Sequence, residues 1–105
     1  MQLTVYPKEA QWALPWTVTY SRHAEKQRGK LPERVRAILD ALVIEITVGG
    51  PVRRLWKNYS VLSNGDHHCH LKKGHPTYVA VWEVTDKTVK LVEVKYVGTH
   101  EKAPY

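Results

Sequence analysis

The stretch TYVAVWEVTDKTVKLVEVKYV, residues 77–97, decides the fold. TYVAVWEV (77–84) and VKLVEVKYV (89–97) are rich in β-branched and aromatic residues with a period near two, and the turn-forming pair Asp86-Lys87 separates them. Working upstream, HHCHLKK (67–73) and NYSVL (58–62) read as further strands. Ser63-Asn64-Gly65-Asp66 and Gly74-His75-Pro76 break the series. Connections this short join neighbouring strands in antiparallel fashion.

The period changes N-terminal to these strands. Val35, Ile38, Leu39, Leu42, Val43 and Ile46 recur at spacings of three and four, the signature of a helix with one apolar face. Pro32 and Glu33 suit its first turn, and Gly49-Gly50 ends it. A shorter basic helix, SRHAEKQRGK (21–30), is expected with Ser21 as its cap and its end near Gly29. Trp16, Val18 and Tyr20 alternate with Thr17 and Thr19 as in a half-buried strand, and residues 1–15, with Pro7 and Pro15, read as an extended lead-in. The whole is expected to be one α+β domain over residues 1–105. One or two N-terminal helices would pack on a twisted antiparallel sheet of about four to five strands.

Composition narrows the function classes. The 43% hydrophobic and 10% aromatic fractions argue against disorder, and a single cysteine, Cys69, excludes an internal disulfide and suits a reducing cytoplasm. No uninterrupted apolar segment marks a secretion signal or a membrane span, so a cytoplasmic protein with no membrane partner is expected. Sixteen Lys and Arg against ten Asp and Glu leave a formal charge of +6, a field that attracts polyanions.

Histidines give that field a chemistry. His67, His68, His70 and His75 lie within nine positions, and His100 follows near the end. In a strand, His68 and His70 share one face while His67 and Cys69 share the other. His-x-His with a third histidine is compatible with zinc, but no spaced CxxC or HExxH accompanies it. Histidines at a strand edge can also be merely solvated, and this is the expectation for His23 and His67. The third possibility is general acid–base work, since an imidazole pair can remove one proton and supply another near neutrality. RNA is a suitable substrate, because its own 2′-hydroxyl can attack the adjacent phosphate while Lys and Arg stabilise the charge without a metal or cofactor. Arg53, Arg54, Lys57, Lys72, Lys73 and Lys95 surround the histidine strands, and Trp56, Tyr59, Tyr78 and Tyr105 offer faces for unstacked bases.

Pro51, Leu55-Trp56-Lys57-Asn58-Tyr59, Cys69-His70-Leu71, Tyr78-Val79-Ala80-Val81-Trp82 and Gly98-Thr99-His100 occur in an order that resembles the RelE/ParE toxin superfamily. The likeness is greatest to its YafQ-like branch of messenger RNA interferases, whose closing GTH motif GTHEKAPY resembles. The likeness implies a small RelE-like domain. It also implies a ribosome-associated endoribonuclease toxin of a type II toxin–antitoxin system, acting on mRNA, with a cognate antitoxin as partner and a monomeric free form. His70 and His100 match catalytic histidines, Tyr105 stands one residue beyond the family's aromatic, and Tyr78 takes the place of an aromatic at the start of the next strand. Substrate binding would fall to Arg53, Arg54, Trp56, Lys57, Lys72, Lys73 and Tyr78. Gly50 and Thr77 stand where that branch has a histidine and an acid, and His68 or His75 could replace them. The loop from Tyr59 to His70 is longer than usual. The alternative is a non-catalytic ParE-like inhibitor of DNA gyrase, which typically lacks the histidine pair, or an antitoxin-binding regulatory module.

Overall fold

The computed structural model describes residues 14–105, so most of the expected lead-in, at 1–13, lies outside the described residues. The elements follow in the order β1 (Thr17–Tyr20), α1 (Arg22–Gly29), α2 (Glu33–Gly49), β2 (Ser60–Val61), β3 (His67–Lys72), β4 (Tyr78–Asp86) and β5 (Leu91–Thr99). A single 3-10 turn, His100–Lys102, follows β5. The five strands form one sheet in the order β1-β5-β4-β3-β2. Strands β2 to β5 pair antiparallel as their short connections require. One pairing differs from the expected antiparallel set, because β1 runs parallel to β5 at the sheet edge. The chain between them contains both helices and three strands, ample length for the crossover that a parallel pair needs.

Each helix begins and ends for local reasons. The Ser21 hydroxyl accepts the Ala24 N–H at 3.0 Å and caps α1. Pro32 stands one place earlier than expected, at the N-cap of α2, where its carbonyl accepts the Arg36 N–H at 2.9 Å. Gly50 ends α2 at φ +95, with its N–H on the Ile46 carbonyl at 2.8 Å. Both helices cover the same face of the sheet. Val35, Leu39, Leu42 and Ile46 of α2 are buried against Cys69, Leu71, Ala80, Trp82, Val92, Val94 and Val97, and Ile38 and Val43 flank them. Each fully buried aliphatic side chain in this set contributes about 1.5–3 kcal/mol.

Trp82, fully buried, organises the centre. Its indole N–H donates to the Pro51 carbonyl at 2.9 Å, and its ring stacks on His67 at 5.8 Å with a 9° interplanar angle. His67 in turn shares a 2.6 Å hydrogen bond through Nδ1 with the Tyr59 hydroxyl. The expectation of a solvated His67 is therefore corrected: Trp82 and Tyr59 enclose its ring, leaving it 8% exposed. His23 is exposed, as expected, and meets the Gln27 amide at 3.1 Å. The segment 51–59 is thereby tied to the sheet at Pro51 and Tyr59, and the Lys57 carbonyl accepts the His70 N–H at 2.8 Å.

Burial lowers the pKa of His67, with Asp66 partly opposing the shift. The unfolded chain, with its ordinary histidine pKa of about 6.5, then binds the proton more readily than the folded one. Stability is therefore full above about pH 6.5 and declines as the pH falls through that value. Urea unfolding between about pH 7 and 5.5 should show this decline, with a shallower slope for His67→Gln; equal slopes in the two proteins would assign the effect elsewhere.

Candidate active site

The face of the sheet turned away from the helices carries the histidines. His70 pairs in register with Val79 and His68 with Val81, so their side chains join the Val79, Val81 and Tyr96 cluster on that face. Only light cover lies over them, where Leu62 and Ala103 pack against the cluster.

The Gly98-Thr99-His100 sequence has a local explanation. The Tyr96 hydroxyl donates to the Thr99 carbonyl at 2.7 Å, and a Cβ at Gly98 would stand 2.7 Å from that hydroxyl, so the crossing needs glycine. Strand β5 then ends in the 3-10 turn, and the His100 N–H is held by the Thr77 carbonyl at 2.8 Å. The turn brings the His100 ring to 5.5 Å from that of His70, edge toward face at 69°. Tyr105 closes the group, its ring 4.9 Å from His68 and 6.1 Å from His100.

The environments of the three histidines differ. His70 has its pKa lowered, first by burial and then by repulsion from His100, His68 and Lys73, which favours a neutral imidazole at neutral pH. Its Nδ1 is buried with no hydrogen-bond partner among the described residues, leaving Nε2 as the edge that can reach a ligand. His100 is exposed. His68 is buried, with Nδ1 3.0 Å from the Ser60 hydroxyl and 3.4 Å from the Ser60 carbonyl, a placement that favours the proton on Nδ1. Burial raises the pKa of Tyr105, so its hydroxyl keeps its proton and can donate. Cys69, on the helix face and fully buried, is pushed up to about 12 and is no nucleophile. Among the described residues no three His, Cys, Asp or Glu side chains converge as a ligand set for a metal ion.

The other residues singled out in the sequence divide into three groups. Trp56 and Lys57 line a shallow depression together with His70, and Arg54 stands exposed in the adjoining one. Lys72 and Lys73 are exposed where β3 ends, and Lys73 is near enough to act on His70. Arg53 and Lys95 are engaged in ion pairs, Arg53 with Glu45 at 3.3 Å and Lys95 with Asp66 at 2.9 Å. Tyr78 lies apart from the histidine group: it packs against the helix-side core and lines a recess with His23 and Gln27 of α1. A histidine at Gly50, as in the resembling branch, would be strained at φ +95, and its Cβ would press on the Trp16 indole nitrogen at 3.2 Å. His68, which the sequence offered only as a possible replacement for the residues missing at Gly50 or Thr77, lies in the group, 6.0 Å from His70 and 4.9 Å from Tyr105.

No family model matches the chain, and no curated protein matches it. Solved structures do. A mutant of the Escherichia coli toxin RelE in the free state superposes with a TM-score of 0.60 at 21% identity, covering 85% of this chain and 87% of that one. The toxin–antitoxin complex RelBE2 from Mycobacterium tuberculosis gives a TM-score of 0.52 at 24% identity, covering 82% of this chain and 99% of its match. The intact E. coli RelBE toxin–antitoxin complex gives 0.53 at 20% identity, covering 83% and 99%. At these identities the comparison establishes a shared architecture, and the chain has the RelE fold.

Proposed function

We propose that this protein is the toxin of a type II toxin–antitoxin pair and an endoribonuclease that cleaves messenger RNA on the ribosome. The observation that carries the reading is the His70–His100 pair, brought to 5.5 Å on the face of a RelE-like sheet that the helices leave open. In this mechanism the neutral His70 removes the proton from the 2′-hydroxyl, whose oxygen attacks the adjacent phosphorus. His100 gives a proton to the departing 5′-oxygen, leaving a 2′,3′-cyclic phosphate and a 5′-hydroxyl end. Lys57, Lys72, Lys73 and Arg54 supply the positive field for the phosphoryl charge, and Trp56 offers a face for a base. Tyr105 donates a hydrogen bond to the phosphate from its seat between His68 and His100.

An antitoxin partner is supported by the RelBE complexes among the structural matches and by an exposed apolar series on this chain. Ile44 and Val48 of α2, and Val52 and Leu55 beyond it, stay in solvent, and Leu55 borders the depression lined by Trp56 and His70. A chain covering them would also restrict access to the site.

Primer extension on a reporter message after brief induction should show discrete cuts with the wild type. Those cuts should fall by about two to four orders of magnitude in His70→Ala and in His100→Ala. Growth arrest by all three proteins with the message intact would instead identify a gyrase inhibitor of the same fold.

His68 acts through Tyr105, and a double-mutant cycle reads this. Tyr105→Ala and His68→Ala should each reduce cleavage, while the double variant is no worse than the more severe single one. His68→Phe, which keeps a ring under Tyr105, should restore most of the activity; additive losses, or no recovery with Phe, would remove His68 from this role.

A further inference from the structure

The turn between β2 and β3 is fastened to the open face of the sheet by a pair that none of the chemistry above uses. Asp66 is the only buried carboxylate among the described residues, 5% exposed. Its Oδ2 accepts from the Lys95 ammonium at 2.9 Å and from the Asn64 amide at 3.2 Å. The Asn64 Oδ1 accepts the Asp66 N–H at 2.9 Å, and the Asp66 carbonyl accepts the Leu62 N–H at 2.7 Å, so the turn closes around that carboxylate. Lys95 owes its direction to an irregularity of β5. Val81 pairs with Tyr96 and Trp82 with Val94, which leaves Lys95 as an extra residue in the strand. The bulge lets Lys95 and Tyr96 share the open face, with Glu83 3.6 Å from the ammonium, while Val94 and Val97 on either side pack toward the helices.

What that pair holds reaches the site. Strand β2 is two residues long, Ser60 and Val61, both exposed, and two ladder positions at a sheet edge are too few to keep a strand in place. Tyr59 anchors its entry through His67, and Leu62 packs against Val79, Val81 and Tyr96. The far end of the segment is tied by Lys95 and Asp66. A buried carboxylate is costly unless it is paired, so the turn seats only where Lys95 receives it. Ser60, opposite His68 in the register, is the group that meets His68 Nδ1, and Tyr105 lies against the His68 ring at 4.9 Å. Contacts thus run from Lys95 through Asp66 to β2, and from Ser60 through His68 to Tyr105.

We propose that Lys95 and Asp66 are positioning residues, whose pair latches the β2–β3 turn onto the sheet and so fixes the His68 tautomer and the seat of Tyr105. The effect on cleavage rests on the nuclease reading; the effect on His68 does not. The long connection from Tyr59 to His70 then serves as the strap by which β5 acts on the site.

Imidazole nitrogen NMR on the purified full chain at about pH 8, where the rings are neutral, reads the tautomer of His68. Wild type should carry the proton on Nδ1. In Lys95→Met the ring should pass to the mixture of tautomers found in solvent, and message cleavage should fall by about ten- to a hundredfold in primer extension. Lys95→Arg, which keeps the cation, should restore both. Lys95→Met also leaves a buried carboxylate unpaired and is destabilised for that reason alone, so Asp66→Asn/Lys95→Met is measured beside it. With both charges gone, thermal melting should return toward that of wild type, while the His68 tautomer and the cleavage stay as in Lys95→Met. Nδ1–H retained or cleavage unchanged in Lys95→Met would overturn the proposal. So would tautomer and cleavage that recover together with melting in the double variant. Absence of cuts by wild type would overturn the nuclease reading, and the tautomer measurement would still decide the latch.

Discussion

The stack of His67 on Trp82 fixes which way β3 faces, and the site depends on that choice. Side chains alternate along a strand, so a slip of one residue would send His68 and His70 into the helix-covered core and bring His67 and Cys69 out. Trp82 is fully buried, hydrogen-bonded to Pro51 and stacked on His67, while the Tyr59 hydroxyl meets His67 Nδ1. The same contacts secure the segment that carries Trp56 and Lys57 along the edge of β3, where the Lys57 carbonyl meets the His70 N–H. A buried polar network of this kind is costly when half satisfied, which makes the register hard to exchange for another.

With β3 set, the opposite face holds the His70 ring 5.5 Å from that of His100 and 6.0 Å from that of His68. His70 sits in partial burial among cationic neighbours and is biased toward its neutral form, whereas His100 stands in solvent on a turn. Acid–base chemistry needs one imidazole free to take a proton, and the neutral form favoured at His70 meets that need. The surrounding charges follow the same logic: Arg53 and Lys95 are committed to ion pairs, while Lys57, Lys72, Lys73 and Arg54 stand exposed around the site.

Much of this was legible in the residues. The three-and-four spacing of α2, the cap at Ser21 and the turn signals at 63–66, 74–76 and 86–87 located the elements, because these are local properties of the chain. Strand alternation also placed His68 with His70. Partner choice was not legible. Alternation does not encode which strand lies alongside, so the parallel β1–β5 pair emerged only from the fold. For the same reason His67, whose neighbours Trp82 and Tyr59 come from elsewhere in the sequence, read as a solvated histidine. Tyr78 read as a site residue by position in a motif, yet it packs against the helix-side core while Val79, its neighbour in the strand, joins the histidine face. The glycine at 50 is a backbone requirement, set by a positive φ and by the Trp16 ring, and spacing alone does not reveal either.

The end groups of the cut message test the central claim most directly. Fragments recovered after brief induction should accept a labelled phosphate from polynucleotide kinase without prior dephosphorylation, because attack by the 2′-hydroxyl leaves a 5′-hydroxyl downstream and a cyclic phosphate upstream. Fragments bearing a 5′-phosphate would mean that water, rather than the RNA's own hydroxyl, is the nucleophile, and would contradict the roles of His70 as base and His100 as acid in that attack.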